Sequence, residues 1–159
     1  MLLFRKITFP IIFLISACGF SPLYTNNNFA KLDGNIDLQE PNSQNEFVFY
    51  SQLKNRFSDG NDKYILTYAI TTSKKDSALS FDGTVHRIEI SSSVAFSLKE
   101  KMSGLEILSD KEEMSLSYSN VGSTAAVLNA ERTTNKQLVV LLADKVADRI
   151  SLTIVEKGS

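Results

Sequence analysis

Apolar and polar residues follow two different periods along this chain, and the change from one to the other marks the elements. Ile36 and Leu38 alternate with polar neighbours in a short strand ended by Pro41. Ser43 and Glu46 then form an S-x-x-E capping box, which predicts a helix start. Phe49, Leu53 and Phe57 follow at four-residue spacing, with Phe47, Tyr50 and Lys54 alongside, and the stripe stops at Ser58-Asp59-Gly60. From Asp62 the period becomes two. Tyr64, Leu66, Tyr68 and Ile70 share one strand face, opposite Lys63, Ile65, Thr67 and Ala69. After the Asp82-Gly83 turn, Ile88, Ile90, Val94, Phe96 and Leu98 point one way, and Arg87, Glu89, Ser91, Ser93, Ala95, Ser97 and Lys99 the other. A second turn at Ser103-Gly104 leads to a third antiparallel strand, in which Met114, Leu116 and Tyr118 alternate with Glu113, Ser115, Ser117 and Ser119. The chain closes on a helix from about Ser123 to Ser151, with Leu138, Leu141, Leu142, Val146 and Ile150 on its buried side and poor helix formers at Thr133, Thr134 and Asn135, where a bend or interruption is expected. A helix between the first two strands implies a parallel pair. The predicted fold is α+β: a two-layer sandwich in the order β-α-β-β-β-α, with two helices on one face of a four-stranded mixed sheet and a Ser/Thr-rich face on the other.

The start of the chain obeys neither period. Arg5 and Lys6 precede an apolar run, Ile7 to Ile15, and the small residues Ser16 and Ala17 stand before Cys18. The run is about half the length of a membrane span and has the layout of an export signal. A plain secretory signal needs no thiol. Ile15-Ser16-Ala17-Cys18 instead fits the bacterial lipobox, in which the cysteine sulfur is alkylated with diacylglycerol and the chain is cut on its N-terminal side. Residues 1–17 are therefore expected to be a signal peptide, 18–35 a lipidated tether, and 36–155 a single domain. At about 0.8 kcal/mol per buried methylene, three acyl chains of the palmitate kind hold a protein on a membrane effectively permanently. Gly19 is not the aspartate that retains such proteins in the inner membrane, so outer-membrane delivery is expected.

Cys18 is the one cysteine in the chain, so no intramolecular disulfide can form. Removing 17 of 159 residues leaves 142, one ordinary domain, with 15 basic against 18 acidic side chains and a net charge of −3. That balance argues against a nucleic-acid partner. Catalytic groups are not assembled by any motif. His86 is the one histidine, there is no G-x-S-x-G elbow, and no G-x-x-x-x-G-K phosphate loop occurs. Glu112 and Glu113 are adjacent on a strand, hence on opposite faces, and read as solvated edge residues. No cofactor, metal or enzymatic activity is expected.

Cys18-Gly19-Phe20-Ser21-Pro22-Leu23-Tyr24 follows the C-G-F-x-P-L-Y start of the LPS-assembly lipoprotein (LptE) family, in its alphaproteobacterial form. Ser117-Tyr118-Ser119 before the last helix, and Ala130-Glu131-Arg132, Leu141-Leu142-Ala143-Asp144 and Ala147-Asp148-Arg149-Ile150 within it, add to the likeness. The chain resembles that family at both ends, and in the middle by strand pattern. The resemblance implies a non-enzymatic protein on the periplasmic side of the outer membrane that plugs the lumen of the LptD β-barrel, assists its assembly and takes part in lipopolysaccharide transport. Lys74, Lys75, Arg87, Lys99 and Lys101 are the basic residues placed to meet lipid A phosphates. The alternative is an accessory lipoprotein of another outer-membrane assembly, of the barrel-assembly or secretin type.

Overall fold

The computed structural model describes residues 36–57, 63–79, 83 and 85–157. Cys18, the signal, the tether, the Ser58-Asp59-Gly60 stop and Asp82 lie outside the described residues. The elements run β1 (Ile36–Leu38), α1 (Gln44–Arg56), β2 (Tyr64–Leu79), β3 (Val85–Glu100), β4 (Glu106–Ser119) and α2 (Thr124–Lys157). The sheet order is β1-β2-β3-β4, with β1 parallel to β2 and the other pairs antiparallel. This is the expected α+β arrangement of a four-stranded mixed sheet and two helices. At about 3.4 Å per residue, the 16 residues of β3 make a ribbon roughly 50 Å long. For most of that length it is three strands wide, because β1 contributes only 3 residues.

Local chemistry sets the ends of the elements. Ser43 caps α1: its Oγ accepts the Glu46 N–H at 3.2 Å, while the Glu46 carboxylate accepts the N–H of Asn42, at 2.7 Å, one residue before the usual capping-box partner. The last turn of α1 closes with the Phe57 N–H on the Leu53 carbonyl at 2.8 Å. Between β3 and β4 the chain reverses at Gly104, whose φ of 68° suits a residue without a Cβ; its N–H donates to the Glu100 carbonyl at 2.8 Å.

The core lies between the sheet and the helices. Phe49 and Leu53 of α1, with Phe57 just beyond its end, meet Leu66, Tyr68, Val94, Phe96 and Leu98 of the strands and Val139, Leu142, Val146 and Ile150 of α2. The Phe49 and Tyr68 rings stand 4.9 Å apart, tilted by 52°. Side chains buried to this degree contribute about 1.5–3 kcal/mol each. A second, smaller cluster of Ile90, Tyr118 and Leu138 is completed by Val127, Ala130, Met114 and Leu116. This half has no contribution from α1, and β2 residues 71–77 are exposed alongside it.

Several sequence expectations are corrected here. Leu141 is 42% exposed, because the buried side of α2 is set by Leu138, Leu142, Val146 and Ile150, and Leu141 stands a quarter turn beyond it. Phe47 points away from the α1 stripe and is 62% exposed. The Thr133-Thr134-Asn135 run does not interrupt α2, which continues past Ser151 to Lys157. Tertiary packing on both sides of the run outweighs its weak propensity. Ser92, between Ile90 and Val94, faces inward and is 1% exposed, bonded to Thr72 Oγ1 at 2.8 Å. Glu112 also faces inward: its carboxylate meets Lys145 of α2 at 2.6 Å, so it is no solvated edge residue.

Candidate interaction surface

The side of the sheet away from the helices is a field of small hydroxyl side chains. Strand alternation places Thr67, Thr71 and Ser73 of β2, Ser91, Ser93 and Ser97 of β3, and Ser109, Ser115, Ser117 and Ser119 of β4 on this face. Register makes the rows: Ser73 stands opposite Ser91, and Ser91 opposite Ser115, with the Ser91 and Ser115 hydroxyls 2.8 Å apart. Thr71, Ser93 and Glu113 form the next row. Ala69 opposite Ala95 leaves a shallow depression of about 330 Å³, edged by Thr67, Ser97 and Ser109. Among the described residues no element covers this face.

Several of its charges are paired. Lys75 meets Glu89, its cross-strand neighbour, at 3.0 Å, and Lys111 meets Glu113 at 3.9 Å. The hydrogen bond from the Lys75 ammonium holds the Glu89 carboxyl below its usual range against the opposing effect of burial, with the Ser91 and Ser115 hydroxyls helping. The Glu106 carboxylate accepts the Ser97 hydroxyl at 3.0 Å.

The five basic residues singled out from sequence do not form one site. Lys74 and Lys75 are neighbours on a strand and project from opposite faces. Lys74 turns to the helix side and pairs with Glu131 of α2, which also accepts the Tyr118 hydroxyl at 3.1 Å. That pairing holds the Glu131 carboxyl below its usual range, against the burial that would raise it. Burial, then the Glu131 carboxylate, push the Tyr118 phenol up. Arg87 is exposed near Lys75, at the β2–β3 turn end of the sheet. Lys99 and Lys101 lie at the other end, about 40 Å away at strand rise, with Lys101 Nζ 3.3 Å from Asp37. Two separate basic positions are present, at opposite ends. His86 is exposed, and its carbonyl accepts the Asn120 N–H at 2.9 Å. Among the described residues no three His, Cys, Asp or Glu side chains stand together as metal ligands, and no helix is long and apolar enough to cross a membrane.

Sequence reading missed the polar groups on the helix side. Asp110 and Glu112 share the parity of Met114, so they face α2, where Arg149 meets Asp110 at 3.3 Å and Lys145 meets Glu112. Asn135 Nδ2 donates to Asn45 Oδ1 at 2.7 Å, and Asn45 Nδ2 donates to Thr72 Oγ1 at 3.1 Å. The strand parity of the two carboxylates was a usable signal; nothing local announces the pairing of Asn45 with Asn135.

No protein-family model and no curated protein sequence matches the chain. Solved structures do. A lipoprotein from Caulobacter crescentus CB15 superposes with a TM-score of 0.63 at 16% identity, over 77% of this chain and 91% of that one. Rare lipoprotein B from Shewanella oneidensis gives 0.63 at 15%, over 80% and 99%. The chain has the fold of these lipoproteins. A minor lipoprotein from Acinetobacter baumannii has the same lipoprotein-type fold with a TM-score of 0.53 at 17% identity, over 76% and 91%. In this chain the shared fold is what lays the hydroxyl field out on one side and packs both helices on the other.

Proposed function

We propose that this protein is a lipid-anchored outer-membrane assembly factor of the LPS-assembly lipoprotein kind. In this reading Cys18 is the mature, acylated N-terminus, and the domain seats in the lumen of the LptD β-barrel as a plug and folding aid during lipopolysaccharide transport. The observation that carries it is the uncovered sheet face: roughly 50 Å of extended backbone bearing serine, threonine and charges that are in part paired with one another. A barrel lumen is polar and walled by inward-facing strand residues. A rigid face of short hydroxyls can exchange hydrogen bonds with such a wall, and losing little side-chain freedom on docking lowers the cost of association. The fold shared with several lipoproteins and the Cys18-Gly19-Phe20 start support the same reading.

Purification of the tagged protein from detergent-solubilised outer membranes, with partners and the N-terminal peptide identified by mass, tests it. Recovery of LptD and a diacylated or triacylated Cys18 is expected. A barrel-assembly or secretin component in its place would reassign the partner, and an unmodified Cys18 would remove the anchor. Any lipopolysaccharide contact through the basic residues is confined to one end of the sheet. Replacing Lys75 and Arg87 by Glu, and separately Lys99 and Lys101, should give unequal losses of lipopolysaccharide binding, and Lys74, already engaged by Glu131, should contribute least. Equal and negligible losses would leave a plug without a charge-based glycolipid site.

A further inference from the structure

We infer that the outer edge of β4 docks a second copy of this chain, antiparallel about a two-fold axis at Glu112, so that the sheet continues to eight strands. Among the described residues no strand pairs with that edge. Its parity is set from the inner side. The Asn120 N–H donates to the His86 carbonyl in the register of the β3–β4 ladder, so even-numbered residues of β4 bond to β3 and odd-numbered ones point their backbone groups outward. Charges ordinarily blunt such an edge. Here they complement one another: with Glu112 on the axis, Lys111 stands opposite Glu113 of the second copy, Glu113 opposite its Lys111, and Ser109 opposite its Ser115. Moving the axis to Lys111 or to Glu113 sets like charges opposite each other, which fixes the register. On the helix side the same register brings the half-buried Leu108 against Leu116 of the second copy. The two Glu112 side chains that meet at the axis each carry a Lys145 ammonium at 2.6 Å. Asp110 Oδ1 caps the Lys111 N–H of the single chain at 2.8 Å and gives way to the incoming strand.

The outer side of α2 is self-complementary about the same axis. Leu141, Lys145, Asp148 and Leu152 follow at spacings of four, three and four, the seam of an antiparallel helix pair, and all four are exposed. A two-fold midway between Val146 and Ala147 sets Leu141 against Leu152 of the second copy and Lys145 against its Asp148. Lys145 meets Glu112 and Arg149 meets Asp110, so the midpoint of this seam stands level with Glu112 to within about one helical turn, or 5 Å. Strand edge and helix seam thus call independently for one axis. Their spacing agrees as well. Leu138 packs on Ile90 of β3 and Tyr118 of β4, which puts α2 over the line between those strands. Two copies joined through β4 then hold their α2 helices about 10 Å apart, within the range of packed helices. Lys145 and Asp148 keep their present partners, Glu112 and Arg56, and each gains a second. The dimer depends on neither the barrel nor the anchor, and it leaves the hydroxyl face open.

The test is sedimentation equilibrium of the mature protein in detergent matched to the density of the solvent, so that protein mass alone is read. The natural chain should form a concentration-dependent dimer. K111E and E113K each turn both cross-edge pairs into repulsions, at side chains 61% and 63% exposed, and each should weaken the dimer at least tenfold with the circular dichroism spectrum unchanged. An equimolar mixture of the two restores opposite charges across the edge and should recover the dimer, although neither chain regains its own 111–113 pair. L141E with L152E, which leaves β4 as it is, should weaken the dimer likewise. A natural chain that stays monomeric at its highest soluble concentration overturns the inference, as do charge variants that dimerise like it, a mixture that stays monomeric, or a helix variant with no effect. Hydrogen exchange of the natural chain gives a reading free of substitutions: the amides of Lys111, Glu113 and Ser115 should slow as protein concentration rises, and those of residues 71–77 should not. The reverse pattern would assign the contact to β2 and overturn the inference.

Discussion

Replacing Asn135 by alanine should leave the protein at least as stable as it is now, although it deletes a half-buried hydrogen bond. The bond from Asn135 Nδ2 to Asn45 Oδ1, at 2.7 Å, contributes about 1 kcal/mol, and the smaller side chain forfeits up to about 1 kcal/mol of packing. Against these losses, Asn135 Oδ1 is buried with no partner among the described residues, and removing an unsatisfied acceptor recovers about 1–3 kcal/mol. Alanine also exceeds asparagine in a helix interior by about 0.6 kcal/mol. The balance runs from about zero to about 2 kcal/mol in favour of the variant, because the Asn45 oxygen left behind sits on a half-exposed residue that water reaches. Asn45→Ala should behave in the opposite way, costing about 1–2 kcal/mol, since it strands both ends of the Asn135 amide. Urea unfolding followed by far-UV circular dichroism, on protein produced without residues 1–18, measures both. A loss of more than about 1 kcal/mol in Asn135→Ala, or an Asn45→Ala variant milder than it, would refute the assignment of Asn135 Oδ1 as an orphan.

Phe96→Asp puts an unpaired charge at a position only 3% exposed, and should cost about 4 kcal/mol or more and unfold the domain; a native circular dichroism spectrum and melting curve would contradict the core assignment. Glu89 and Glu131 are both held below the ordinary carboxylate value near 4.5, so their contribution to stability is complete above that value and lost as pH falls through their lowered folded-state values. Glu131→Gln should flatten that part of the acid unfolding curve. Burial raises the Tyr68 phenol to about 12, with Glu46 and Tyr50 adding to the effect. Stability tied to its neutral form is full below the ordinary value of 10.0, declines as pH rises above it and is lost through about 12; in Tyr68→Phe this alkaline loss should disappear, at a cost of about 1 kcal/mol for the 2.9 Å bond to the Gln39 carbonyl.

The order of elements was legible because each carries its period over many residues: the two long central strands alternate almost without error, and the Ser43 cap fixes where α1 starts. Interruptions were harder to read. Ser92 sits in register with Ile90 and Val94, and only the Thr72 hydroxyl across the strand explains why a polar residue is tolerated there. Leu141 looked like a core position because leucine is a core residue, yet the angular position around the helix decides, and Leu142 holds the inward place. The Thr-Thr-Asn run suggested a break that propensity alone would favour, and packing with the Asn45 bond overrides it. For the candidate site, the hydroxyl face followed directly from alternation. The fate of the lysines did not, because whether Lys74 meets solvent or Glu131 depends on a helix 57 residues further along the chain.

The split of the core into two clusters gives the molecule two cooperative units of unequal strength. Around Phe49, Leu53 and Val94 the sheet is clamped by both helices. Beyond the Asn45, Thr72 and Asn135 seam, α2 alone holds the strands, through Val127, Ala130 and Leu138. Opening the weaker unit breaks few apolar contacts and leaves the stronger one intact, so hydrogen exchange should reach the amides of residues 71–77 and of the first turns of α2 through subglobal fluctuations. The amides of Leu53, Leu98 and Val146 should exchange only when the whole domain unfolds. The end of the sheet away from β1 is thus the end able to rearrange, while the end that β1 and α1 cover keeps its shape.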